Sequence, residues 1–219
     1  MTTAIATFAK TPSLSPVKTR LAKTIGTDLA LKFYLLSLSA VKGIVNKVDA
    51  QPYWAIAEKD GIKNPLWADY KALYTEEGCL GLRQHHIYEK LLSEHDRVIL
   101  IGSDTPQISK NLLDDAIIAL DTNDFVIGPA SDGGYYLFGG RLSLPAKTWT
   151  SVPWSSHLTR ERLEALLPTK AHHLPTLTDV DTQQDLHLVT KEMPEEQTQE
   201  QQKVIEWIKN HERPVSMHG

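Results

Sequence analysis

The chain has 219 residues, 41% of them hydrophobic and 23% charged, and its 23 Lys and Arg against 27 Asp and Glu give a formal charge of −4. That length suits one α/β domain, and the acidic balance argues against a non-specific nucleic-acid surface, which needs cations to displace phosphate counterions. Apolar runs such as Val98–Ile101 and Ala116–Leu120 are far shorter than the ~20 residues of a membrane-spanning helix, Met1–Lys10 lacks the features of an export signal, and the single Cys79 leaves no internal disulfide; a cytoplasmic location is expected.

Thr3–Ala9 reads as a first strand. After a polar loop, Leu29, Phe33, Leu36, Ala40 and Ile44 recur every three or four residues behind Thr27 and Asp28, the pattern of a capped amphipathic helix. Tyr53–Ala57 is a second strand, Arg83–Ser93 a helix, and Arg97–Ile101 a continuous apolar run suited to a strand covered on both faces. Ser109 caps a helix through Leu120. Phe125–Ile127 and Tyr135–Phe138 flank Asp132-Gly133-Gly134, a hairpin turn that interrupts the βα alternation. Ser156–Leu167 and Thr182–Thr190 read as helices, with a strand between them at Ala171–Leu177. Val204, Trp207 and Ile208 mark a weak helical pattern in the Glu- and Gln-rich tail. Alternation of strands and helices predicts a mainly parallel sheet with helices on both faces. The expected organisation is one domain over residues 1–190, followed by a peripheral helix and frayed tail over 191–219.

Three segments could carry chemistry. The loop after the first strand, Ala9 to Leu21, holds Lys10, Lys18 and Arg20 and no acid. It falls at the carboxyl end of a strand, where open α/β sheets bind ligands, and suits a di- or triphosphate; a solvated basic loop has the same composition. Neither a Walker loop nor a dinucleotide fingerprint is present. Asp104 in Gly102-Ser103-Asp104-Thr105-Pro106 falls at the same sheet edge, placed either to hold a divalent cation or to start an Asx turn. In Thr178-Asp179-Val180-Asp181-Thr182, Asp179 and Asp181 share one face of an extended segment, and Thr182 with Asp185 makes a helix cap. Asp132 either serves the backbone of its hairpin turn alone or contributes a carboxylate to the site. The adjacent pairs His85-His86 and His172-His173 diverge on any regular element and read as structural or surface residues. Trp154 either stacks on a substrate ring or closes the core. No activated-thiol motif surrounds Cys79 and no nucleophile elbow occurs, which disfavours a cysteine or serine hydrolase.

Taken in order, Lys10–Leu21 ending Val-Lys-Thr-Arg-Leu, Gly78-Cys79-Leu80-Gly81-Leu82-Arg83, Gly102–Pro106, Asp132–Tyr136, Val152-Pro153-Trp154-Ser155 and Asp179-Val180-Asp181-Thr182 form a combination more specific than any one motif. Over about residues 3–188 the chain resembles the bacterial GT-A-type transferase family known as rSAM/selenodomain-associated transferase 1, some members of which are labelled arsenosugar biosynthesis glycosyltransferases. It is more distantly similar to 2-phospho-lactate guanylyltransferase and to molybdenum-cofactor and sugar-acid nucleotidyltransferases. The resemblance implies a GT-A, nucleotide-diphospho-sugar transferase-like α/β three-layer sandwich with a mainly parallel sheet. It further implies a nucleotide bound across the first βα loop with Mg²⁺ or Mn²⁺. By position, Lys18 and Arg20 match the family's phosphate-binding loop, Asp104 its metal-binding aspartate and Asp181 the aspartate that completes the metal site in sugar-acid relatives; beside these, Lys10 and Arg83 are candidates for binding nucleotide or phosphate, and Asp132 for orienting the acceptor or acting as general base. The chain departs from the family pattern at Ser15-Pro16, where Pro-Gly is common, and at Cys79, Leu82 and Gln183.

The expected function is a metal-dependent transferase acting on a nucleotide sugar and a small-molecule acceptor. The alternatives are a nucleotidyltransferase that releases pyrophosphate from a nucleoside triphosphate, and a non-catalytic nucleotide-binding protein. Charge distribution supports a small polyphosphate ligand: residues 1–27 carry +4 and the remainder −8 of the −4 total.

Overall fold

Strand β1 (Thr3–Ala9) is apolar towards both faces, which places it at the centre of a sheet rather than at an edge. In the computed structural model, which describes residues 1–211, it pairs in parallel with β2 (Gln51–Ile56) on one side and with β4 (Arg97–Gly102) on the other. The registers run from Ala4 opposite Gln51 to Ala9 opposite Ile56, and from Thr3 opposite Arg97 to Phe8 opposite Gly102. With β3 (Lys71–Tyr74), β5 (Phe125–Pro129), β6 (Tyr135–Gly140) and β7 (His172–His173), the order is β3-β2-β1-β4-β6-β5-β7. Only β6 runs against the rest.

Alternating side chains supply two cores. Ala4, Ala6, Val98 and Leu100 pack under α3 (Leu80–Leu92), α5 (Ala146–Thr150) and α6 (Thr159–Glu164). Ile5, Ile99 and Ile101 pack under α2 (Thr27–Val45) and α4 (Lys110–Thr122). The result is a three-layer α/β/α sandwich. A third cluster joins α1 (Thr19–Ile25), α2, α7 (Gln183–Glu192) and α8 (Gln199–His211): Val204, Trp207 and Ile208 of α8 pack with Phe33 and Leu186, the Phe33 and Trp207 rings 5.5 Å apart. The frayed end expected of the tail lies outside the described residues.

Several elements differ from the sequence expectation for physical reasons. The β2–β3 connection carries only short 3₁₀ turns at Lys59–Gly61 and Pro65–Trp67 instead of a periodic helix, so the four-residue edge strand β3 gave no signal. Helix α3 starts at Leu80, three residues earlier than read. Gly81 makes this possible, since a Cβ there would run into the Trp149 carbonyl and the Trp154 indole. The Ala171–Leu177 strand is reduced to β7 and a single bridge between Ala130 and Leu177; Pro175 interrupts it, having no N–H to donate to a ladder. The helix read over Ser156–Leu167 is regular only from Thr159 to Glu164. The hairpin forms as expected, β5 antiparallel to β6. Ser109 caps α4 by accepting from the Leu112 N–H at 3.1 Å.

Candidate active site

From β1 the sheet winds outward through β2 and β3 on one side, and the chain then returns to lay β4 on the other side of β1. Such a reversal of strand order opens a crevice at the carboxyl ends of the strands. The loop leaving β1 is anchored there at once. Lys10 N–H donates to the Tyr34 hydroxyl at 2.9 Å, and that hydroxyl donates to the Lys10 carbonyl at 2.8 Å. Thr11, fully buried, gives its N–H to the Glu58 carboxylate at 2.7 Å. The loop then reaches Lys18, which adopts the left-handed conformation at φ 48° as the N-cap of α1. This backbone state is uncommon for a residue with a side chain. It accompanies an inward ammonium that is only 3% exposed.

The Lys18 ammonium contacts the Asp104 carboxylate at 2.8 Å and donates to the Val180 carbonyl at 2.5 Å. Two loops therefore converge on one cation. Val180 N–H in turn donates to the Asp104 carbonyl at 3.2 Å, and the Thr105 hydroxyl donates to Asp179 at 3.2 Å. Two residues beyond Lys18 and one beyond Val180, Arg20 meets Asp181 at 2.6 Å in an exposed pair. Burial and the neighbouring Asp104 charge push the Asp179 carboxyl up to about 7, an effect that Lys18 partly offsets and that Asp181 and Asp132 reinforce. This edge of the sheet thus carries four carboxylates and two cations.

A cavity of about 360 Å³ opens beside them, within the usual range for small-molecule sites. Lys10, Lys18 and Asp104 line it together with Thr75, Arg83 and Gln84. Gln84 accepts from the Tyr135 hydroxyl at 2.6 Å through Oε1, which directs its amide nitrogen elsewhere. The Thr75 hydroxyl is buried and has no partner. Burial pushes the Tyr34 and Tyr135 phenols up, so both are neutral donors at ordinary pH. Arg83 binds the Gly78 carbonyl at 3.0 Å and the Ala57 carbonyl at 3.4 Å, which ties the start of α3 to the end of β2.

Structure brings together Lys18, Arg20, Asp104 and Asp181, and pairs two of the four predicted phosphate ligands with the predicted metal ligands, Lys18 with Asp104 and Arg20 with Asp181. Lys10 and Arg83 both line the cavity. Asp132 is exposed, and its Oδ1 accepts from Gly134 N–H at 2.8 Å, the Asx geometry of its turn. The two-residue spacing places Asp179 and Asp181 on one face and does not by itself distinguish them; burial does, with Asp179 the more buried one. Thr75, Gln84 and Tyr34 belong to no motif and were not legible. Trp154 closes the core: its indole donates to the Trp149 carbonyl at 2.8 Å and stacks on Trp149 at 6.5 Å. His86 faces Glu76 and His173 faces Glu164, so neither histidine pair converges. Among the described residues no three His, Cys, Asp or Glu side chains by themselves form a metal centre.

This fold and edge define a nucleotide-diphospho-sugar transferase fold. The chain matches the crystal structure of a candidate nucleotide-diphospho-sugar transferase from Desulfovibrio desulfuricans G20 with a TM-score of 0.80 and 26% identity, over 96% of this chain and 98% of that one. It also superposes on a cytidylyltransferase from Leptospira borgpetersenii serovar Hardjo-bovis (strain JB197), with a TM-score of 0.56, 16% identity and coverage of 96% and 94%. CMP:2-keto-3-deoxy-manno-octonic acid synthetase complexed with CTP gives 0.57 and 13%, over 87% and 98%. At such identities these two share the fold alone. The chain belongs to the family described as "Uncharacterized protein conserved in bacteria (DUF2064)", which residues 44–156 match. A comparison with curated proteins gave no match.

Proposed function

We propose that the protein is a metal-dependent transferase that binds an activated nucleotide in the cavity between β1 and α3, and that its donor is a nucleotide sugar. The observation that carries this reading is the pairing of Lys18 with Asp104, which line that cavity, and of Arg20 with Asp181 next to them in the chain. Cations for a diphosphate and carboxylates for a metal stand within one contact of each other. The 26% identity to a candidate nucleotide-diphospho-sugar transferase along nearly the whole chain supports the donor class.

The carboxylates fit a hard divalent cation. Asp179 has its carboxyl raised first by burial and then by the neighbouring Asp104 charge, and a cation at this edge would relieve the second of these. Mg²⁺ takes only one or two carboxylates and fills its sphere with phosphate oxygens and water, so a ready-made three-ligand cage is not required. Asp104 and Asp181 would hold Mg²⁺ or Mn²⁺, which when bound would supply charge to the diphosphate leaving group, with Asp179 beside them. Lys18 and Arg20 share that task by neutralising phosphate oxygens as the leaving group departs. Lys10 extends the cationic wall towards solvent. Thr75 and Gln84 hold the nucleoside. The Oδ2 of Asp132 accepts the acceptor hydroxyl's proton.

Nucleotidyl transfer is the second reading. It is favoured by the fact that Asp132 already commits Oδ1 to Gly134 N–H: an acceptor phosphate is ionised and needs no base. Incubation with Mg²⁺ or Mn²⁺ and a panel of nucleotide sugars and nucleoside triphosphates separates the two. Release of nucleoside diphosphate from a sugar nucleotide supports the first; pyrophosphate release from a triphosphate establishes the second. Neither release, with nucleotide binding intact across a broad acceptor set, leaves a binding protein. The expected setting is the cytoplasm, and among the described residues no helix is long and apolar enough to cross a membrane.

A further inference from the structure

Glu192 is the last residue of α7, where the helix dipole is negative and an acidic side chain is locally unfavourable. Its carboxylate is nevertheless fully engaged. Oε2 accepts from Thr178 N–H at 2.8 Å and from the Gln107 amide at 2.9 Å, and Oε1 accepts from the Thr178 hydroxyl at 2.6 Å. Thr178 and Gln107 are both buried. Gln107 also donates to the Thr178 carbonyl at 2.6 Å. Three donors on two different loops thus end on one side chain. One loop carries Asp104 and the other carries Asp179 and Asp181.

The other end of α7 repeats the arrangement. Asp185 accepts from Asp181 N–H at 3.0 Å and from Thr182 N–H at 2.6 Å. The lengths match: three chain steps from Thr178 to Asp181 reach at most roughly 10 Å, and seven helical steps from Asp185 to Glu192 rise about 10.5 Å. The helix therefore lies alongside the carboxylate segment as a splint, with an acid at each end. Asp185 is already accounted for by helix capping. Glu192 has no such local reason.

We infer that Glu192 is a positioning residue that sets the separation of the Asp104 loop from the Asp179–Asp181 segment, and so governs how tightly the site binds a metal–nucleotide pair. It acts through Thr178 and Gln107 without touching ligand. The inference rests on the functional reading above, because the property being positioned is metal–nucleotide binding.

The test measures Mn²⁺ affinity by electron paramagnetic resonance, with whichever of ADP, GDP, CDP or UDP the wild type binds. Glu192→Ala is expected to weaken Mn²⁺ binding about tenfold, and Glu192→Gln, which keeps one acceptor oxygen, about threefold. Amide exchange at Asp179–Asp181 rises in step. Ile44→Val, a core change in α2 away from the site, lowers the thermal midpoint and leaves the affinity unchanged. If Glu192→Ala lowers only the midpoint, or if Ile44→Val weakens Mn²⁺ binding equally, Glu192 is merely structural and the inference fails. If the wild type binds no nucleotide with Mn²⁺, the functional reading fails, and the positioning role with it.

Discussion

Lys18 and Asp104, 86 positions apart in the chain, form an ion pair at 2.8 Å in which the ammonium is almost fully buried and the carboxylate about one third exposed. Breaking a buried pair costs ~3–5 kcal/mol because the surviving charge is left without compensation. Solvent at Asp104 reduces that figure. Lys18→Met keeps the volume and removes the charge, and is expected to destabilise the fold by about 1–3 kcal/mol in urea denaturation. Nucleotide binding by the same variant should be lost at wild-type saturating concentrations, measured by thermal shift. A variant of wild-type stability would show that the Val180 carbonyl and Asp104 do not depend on the ammonium.

Asp179 gives the fold a pH dependence whose sign is fixed. Its carboxyl is raised from the ordinary value to about 7 by burial and by Asp104, so between those values the folded protein holds a proton that the unfolded chain releases. This contribution is fully present below the unfolded value, near 4, and is lost as pH rises through about 7. Asp179→Asn, which cannot ionise, is expected to raise the thermal midpoint at pH 8 by at least ~2 °C relative to wild type and to change it little at pH 4. Melting curves at both values check this. An equal effect at the two would mean that the substitution acts through packing or the Thr105 hydrogen bond.

Gly133 meets two demands at once. Its φ of 92° is a left-handed value that favours glycine, and a Cβ there would run into the backbone of His157. Arg160 N–H also donates to the Gly133 carbonyl at 3.1 Å, which seats the turn against the start of α6. Gly133→Ala should cost about 1–3 kcal/mol through strain and displacement of that segment. Chemical denaturation gives the stability. Displacement of the turn should also raise the Michaelis constant for the acceptor more than for the nucleotide, if Asp132 has the acceptor role proposed for it.

Strongly periodic or apolar segments were legible from sequence. β1, α2, β4 and α4 follow from Thr3–Ala9, the Leu29-to-Ile44 spacing, Arg97–Ile101 and Ser109 with its apolar face, because each buries enough surface to impose a pattern. The short elements α1, β3 and α5 do not: a seven-residue helix with only Leu21 buried leaves almost no periodicity. For the site, sequence indicated which loops carry charge, since loops at the carboxyl edge of a sheet are where charge is free to gather. It did not indicate pairing. That Lys18 reaches Asp104 and Arg20 reaches Asp181 depends on the left-handed turn at Lys18 and on α7 holding its loop, both tertiary facts. The importance of Asp179 follows from burial, which a sequence spacing does not report.

Arg20 and Asp181 form the contrasting pair. Their contact is short, 2.6 Å, but Arg20 is 66% exposed and Asp181 39%. An exposed pair gains little, because water screens the attraction and two side chains lose rotamer freedom. A double-mutant cycle with Arg20→Ala, Asp181→Ala and both together should therefore give a coupling energy of about 0–1 kcal/mol in urea, falling further in 1 M salt. The same two single variants should each weaken metal-dependent nucleotide binding about tenfold or more, because in the proposed complex Arg20 turns to phosphate and Asp181 to the cation. A weak resting pair is what such an exchange of partners requires. If the coupling instead exceeds ~2 kcal/mol while nucleotide binding is untouched, the pair is a structural clamp between α1 and the Asp179 segment, and Arg20 leaves the list of phosphate ligands.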